Sequence, residues 1–189
     1  MLFQLIQIVF WLALSTWFGG VLFVAIAVPV IFRTVRENNP LLPEVLSVNL
    51  ENQHGTLLAG AIVGNLLRML LRVQAVCAGA LFLALGAQWF LVNLHDRAQL
   101  ITIILRTAMY VAAVVLMAYD SWSIAPRMWR HRQEYLDHAD EPDVANPAKD
   151  QFDRYHRESV TILGIVLFLL LGMILFSGSV SFTQVLVAG

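Results

Sequence analysis

The sequence predicts an all-α fold: a polytopic membrane four-helix bundle with cytoplasmic helical extensions, organised as one integral membrane domain over residues 1–189. Three observations predict it. The first is composition: 59% of residues are hydrophobic and 13% charged, against roughly 45–50% and about 25% in soluble domains. Such a chain has too little polar surface to cover itself in water. The second is the presence of four apolar runs, each close to the ~20 residues that cross a bilayer as a helix. The third is that basic residues gather on one side of these runs.

The first span is residues 5–32, within a stretch from Met1 to Phe32 that holds no charged residue. It is long enough to cross with tilt or with a cytoplasmic extension. Pro29 lies near its end, where a helix tolerates a kink or a stop. A signal peptide is the competing reading, but no basic segment precedes the run and the run is too long. The second span is residues 73–94 and the third 100–125, which contains Arg106 and Asp120. The fourth covers residues 159–180, its strongly apolar part ending near Ser177-Gly178-Ser179.

Orientation follows from the basic residues of the loops. The first loop, residues 33–72, holds Arg33, Arg36, Arg68 and Arg72. The second, residues 126–158, holds Arg127, Arg130, Arg132, Lys149, Arg154 and Arg157. Of the twelve basic residues only Arg97 and Arg106 are on the opposite side. The ten-charge side is therefore expected to be cytoplasmic, which puts both termini on the periplasmic side of an inner (plasma) membrane.

The first loop is too long for a turn. Asn38-Asn39-Pro40 and Pro43 break the first helix, and a helical pattern resumes near Pro43. From Thr56 to Leu71 the chain is apolar, with Gly60 and Gly64 at the spacing that lets helices approach closely. It reads either as an amphipathic helix on the cytoplasmic face or as an extension of span two, with the glycine notch open to another helix. In the second loop, Arg127 to Asp137 continues span three as a charged helix. The stretch from His138 to Pro147 is an exposed, acidic, proline-punctuated loop. Asp153 and Arg157 are spaced to support a helix that feeds span four.

Charges within a membrane are functional candidates by default. Arg106 lies about 9 Å from the outer end of span three by helical rise, within reach of the interface by snorkelling. Asp120 lies at a similar depth from the other end, about 21 Å from Arg106 along the axis. Both fall near one face with Thr102, Tyr110, Met117 and Ser121. That stripe reads as the lining of a polar pathway or as inter-helix hydrogen bonding with snorkelling. Trp17 is mid-span, either packed on the Gly19-Gly20 notch or lining a cavity. Trp89, Trp122 and Trp129 fit interfacial belts.

Other chemistry is thinly represented. The net charge of -1 gives no basic footprint, so nucleic acid is not an expected partner. Cys77 is single, excluding an intrachain disulfide and a CxxC site. No histidine lies in a span, whereas intramembrane haem is usually held by one. His131, Glu134 and His138 share a helix face with zinc-ligand spacing, and a solvated face is the plainer reading. No cofactor is expected, and no catalytic constellation is present.

Two motifs carry a resemblance. The first is Trp17-Phe18-Gly19-Gly20 with Phe23, Pro29 and Phe32-Arg33. The second is Phe152-Asp153-Arg154-Tyr155-His156-Arg157-Glu158-Ser159 entering the last span. Trp122 to Arg127, ending Ala-Pro-Arg, supports them. In that order, over almost the whole chain, they resemble the bacterial four-span family of unknown function related to eukaryotic transmembrane protein 205. Leu163 departs from the pattern, where an asparagine is expected. The resemblance implies four helices and the inner membrane, without an agreed activity. Its eukaryotic side is linked to resistance to a platinum drug, which implies export or trafficking. Ser15 to Gly20 is also similar to the first span of haem-containing membrane protoporphyrinogen oxidases and copper-resistance membrane proteins. The intramembrane histidines of those oxidases are missing here, with Phe10 at the corresponding depth. The expected function is a non-enzymatic component for small-molecule or metal-stress transport or binding, or an accessory subunit. The haem oxidoreductase is the alternative. Expected partners are the lipid bilayer and a homo-oligomer or larger membrane complex. Arg106, Asp120, Tyr110, Trp17 and His156 are the candidate functional residues.

Overall fold

The computed structural model describes residues 2–38, 54–91 and 96–187; for Leu2, His54 and 178–187 it describes the backbone alone. All regular structure among the described residues is helical: α1 (Leu2–Asn38), α2 (His54–Leu91), α3 (Arg97–Tyr119), a π-helical turn (Asp120–Ile124), α4 (Ala125–Asp137) and α5 (Pro142–Val187). Four stretches are long and apolar enough to cross a membrane: Phe3–Asn38, Gly55–Leu91, Arg97–Asp137 and Pro142–Ser177. The fold is an all-α four-helix membrane bundle. Large apolar side chains stand on its outside, among them Phe90 at 92% exposure and Val76 and Phe168 at 73%. Water would not tolerate so continuous an apolar surface, whereas lipid chains solvate it.

The chain divides into two compact units: Met1–Val21, Arg72–Met117 and Leu163–Gly189 form the first, and Leu22–Leu71 with Ala118–Ile162 the second. In the first, every helix segment buries one seam. On α1 it is Phe10, Leu14, Trp17 and Val21; on α3, Ile103, Arg106, Tyr110 and Ala113; on α5, Val166, Leu170, Met173 and Ser177. The alternating three- and four-residue spacing keeps each seam on one face of its helix. On α2, Gln74, Leu81 and Gln88 recur every seven residues and are all buried. Polar side chains thus occupy seam positions that packing alone would fill with Leu. Gly19 is not a packing notch: it is exposed, and a methyl group there would meet nothing within 4 Å.

In the second unit, α4 packs on α2 at the expected glycine pair. A Cβ on Gly64 would stand 2.6 Å from Trp129 Cη2, and one on Gly60 would stand 3.5 Å from Arg132 Nη2. The helix that the notch was expected to admit is α4 of this same chain. Trp129 is thus packed against α2, and its ring carries Arg68 at 5.9 Å on its face and Arg132 at 5.6 Å. Trp122, 84% exposed, does present its ring outward.

The loops are more helical than the sequence suggests. The apolar stretch from Thr56 is the start of α2, so the extension reading holds. The acidic loop shrinks to His138–Glu141, because α5 begins at Pro142. Proline suits the first helical position, and Asp143 in the first turn favours the helix dipole. The expected helix start near Pro43, the break at Asn39-Pro40 and His95 lie outside the described residues.

Candidate functional site

Arg106 does not snorkel. It occupies a seam position of α3 at 7% exposure, with its guanidinium carbon 5.4 Å from the Phe10 ring centre. Its Nε has no hydrogen-bond partner, and among the described residues no carboxylate pairs with it. Tyr110, one turn along the same face, donates its hydroxyl to the Ala78 carbonyl at 2.9 Å. This ties α3 to α2 at a carbonyl whose second lone pair is free of the helical ladder. Trp89 Nε1 donates to Thr107 Oγ1 at 3.0 Å, a second tie between the same helices. Trp17 is fully buried and Gln88 nearly so, and both Trp17 Nε1 and Gln88 Nε2 are unpartnered. Among the described residues, three buried nitrogen donors of the first unit therefore lack an acceptor. Buried polar groups are ordinarily satisfied, so these are the first chemical anomaly of the molecule.

Asp120 belongs to the second unit. It opens the π-helical turn, in which the Ala125 amide reaches back to the Asp120 carbonyl. The cause is local: Pro126 lacks an amide and its ring crowds the preceding turn, and one wider turn makes room for it. The Ser159 hydroxyl is near the Asp120 carboxylate, whose Oδ1 has no partner. Tyr119 donates its hydroxyl to Glu158 Oε1 at 3.2 Å. Asp120 is therefore level with the residues that open the uncharged part of α5. The expected polar stripe splits: Thr102, Arg106, Tyr110 and Met117 belong to one unit, Asp120 and Ser121 to the other.

His156 lines a half-enclosed pocket of about 280 Å³ in the second unit. Phe32 of α1, Thr56, Leu57 and Gly60 of α2, Arg132, Tyr135 and Leu136 of α4, and Lys149, Phe152 and Asp153 of α5 complete it. Its basic groups are held on aromatic faces. Lys149 Nζ lies 6.0 Å from the Tyr135 ring centre, and His156 stacks on Phe152 at 5.9 Å with 13° between the rings. With one acid, Asp153, against Arg132 and Lys149, the pocket is cationic even when His156 is neutral. Apolar walls with a few convergent polar groups are the usual make-up of a small-molecule site.

Of the zinc-like trio, two residues stay paired and His138 turns to another partner. His131 Nδ1 is 3.2 Å from Glu134, and His138 Nδ1 is 3.5 Å from Glu141. Among the described residues no three His, Cys, Asp or Glu gather to hold a metal. Of the five candidates, Arg106, Tyr110 and Trp17 share the first unit, and Asp120 and His156 the second. Gln88 went unnoticed in the sequence, although the two glutamines Gln74 and Gln88, two heptads apart in an apolar helix, signalled it. There Arg132 and Lys149 count only toward orientation, and Tyr135 is not singled out. The chain matches no protein-family model, no curated protein and no solved structure.

Proposed function

We propose that the protein is a multi-pass binding component of the inner membrane whose ligands are small amphiphilic anions, taken into the pocket around His156. One observation carries the reading: a pocket walled by Phe32, Tyr135 and Phe152 and edged by Arg132 and Lys149. An aromatic or aliphatic body fills the apolar part, and a sulfonate, carboxylate or phosphate meets the cations. Arginine suits such a group through its planar fork of donors. The basic side of the bundle, where the pocket residues cluster in sequence, is the cytoplasmic side on the charge rule, so the ligand enters from the cytoplasm or from the adjoining leaflet. The motifs that resemble the transmembrane-protein-205-related family lend support, since Phe32 of the first and Phe152, Asp153 and His156 of the second line this one pocket.

Isothermal titration of the detergent-purified protein with naphthalene-1-sulfonate tests the reading. Arg132→Gln with Lys149→Gln should weaken binding by at least about tenfold, the effect of losing a charge-assisted hydrogen bond. Gly60→Leu should abolish it by filling the pocket. Undiminished binding in both variants refutes the assignment.

A further inference from the structure

A second site is carried by the first unit, where buried nitrogen donors stand without acceptors among the described residues. Arg106 and Gln88 are each more than nine-tenths buried, and Arg106 Nε and Gln88 Nε2 are unpartnered. The Trp89–Thr107 hydrogen bond sets the register of α2 against α3. Gln88 and Arg106 are the sequence neighbours of that pair, so they stand at one level, and both are on buried seams. The only described neighbour that answers the Arg106 charge is the π-face of Phe10. A ring face is a weak substitute for an anion. Trp17, two turns along the α1 seam from Phe10, adds a third unanswered N–H to the same interior.

We infer that Arg106 and Gln88 hold an oxyanion, a carboxylate or phosphate group, within the four-helix interior of this unit. Water does not complete the site as well. It accepts from the donors but brings two donors of its own into a donor-rich, apolar surrounding, and it leaves the charge unneutralised. An arginine cannot shed its proton there, so the compensating charge comes from a ligand. An oxyanion offers several acceptor lone pairs and one negative charge at once, matching the guanidinium edge and the amide nitrogen of Gln88. This site shares no residue with the His156 pocket, so the two assignments stand or fall separately.

The oxyanion has two sources, an acidic lipid or a soluble ion, and the experiment separates them. The full-length protein, purified in mild detergent without phosphate, is extracted and its bound fatty acid and phospholipid quantified per chain. In parallel, inorganic phosphate is titrated while thermal unfolding is followed. Acidic lipid retained near one per chain identifies the lipid source; saturable stabilisation by phosphate identifies the soluble one. In either arm, Arg106→Gln should reduce the signal by at least about tenfold and Gln88→Leu by several-fold, as expected for losing charged and neutral hydrogen bonds respectively. Arg106→Lys, which keeps the charge, should retain part of it and shows that loss is not misfolding. The inference is overturned if neither probe binds the wild-type protein, or if Arg106→Gln binds as well as wild type.

Discussion

Gly64→Ala is expected to destabilise the protein although alanine is the better helix former. In an unobstructed helix the change gains about 0.5–1 kcal/mol. At Gly64 the new methyl would stand 2.6 Å from Trp129 Cη2 and 3.3 Å from Cζ2, well inside van der Waals contact. Trp129 cannot swing away freely, because Arg68 and Arg132 flank its ring. Overpacking of this kind costs about 1–3 kcal/mol. Taken with the propensity gain, Gly64→Ala should lose about 1–2 kcal/mol, or roughly 3–6 °C of melting temperature for a chain of this size. Gly79→Ala is the control: a methyl there meets nothing within 4 Å, and the same substitution should leave stability unchanged or raised. Trp129→Phe removes the ring atoms that clash, so the Gly64→Ala/Trp129→Phe pair should recover about 1 kcal/mol of coupling in a double-mutant cycle. Circular dichroism melts in one detergent supply all five measurements. Equal effects of Gly64→Ala and Gly79→Ala, or a cycle without coupling, would refute the close packing of α4 on α2.

Arg106→Leu should raise the melting temperature of ligand-free protein by a few degrees, since a buried unpaired charge costs roughly 2.5–3.5 kcal/mol and loss of the Phe10 contact offsets only part of it; a lower melting temperature would show that the charge is already answered. Tyr110→Phe should lose about 0.5–1.5 kcal/mol, the net worth of its bond to Ala78, read by the same melts. A periplasm-reporting fusion at Gly189 should be active; activity confined to a cytoplasmic reporter would reverse the proposed orientation. The visible spectrum of the purified protein should lack a Soret band, and its presence would revive the haem reading.

The helices and their apolar runs were legible because membrane solvation writes itself into long uncharged stretches, and the seam of α1 can be read off Phe10, Leu14, Trp17 and Val21. The direction in which a side chain turns was not legible. Arg106 sits at a depth from which an arginine can reach the interface, yet its angular position on α3 puts it on the interior seam, beside Phe10. Depth comes from counting residues, but direction comes from the neighbouring helices. Gly60 and Gly64 announced a close approach without naming the approaching helix, because Trp129 reads equally well as a belt residue. The pocket around His156 draws on all four spanning stretches, from Phe32 to Phe152, and no local pattern contains it. Only the two motifs, through Phe32 of the first and Phe152, Asp153 and His156 of the second, pointed toward it.

The π-helical turn also has a consequence for how the chain can change length. A wide turn holds one residue more than an α-turn, so it is the place where a residue can be removed without rotating the helix downstream of it. Deleting one residue within α4 would turn its remainder by about 100° and carry Arg132 off Gly60. Deleting Ser121 or Ser123 instead would close the wide turn to α geometry and leave Trp129 facing Gly64. The closed turn would then meet the ring of Pro126, so the deletion should be tolerated only together with Pro126→Ala. The extra residue and the proline are thus coupled by geometry, each requiring the other's removal.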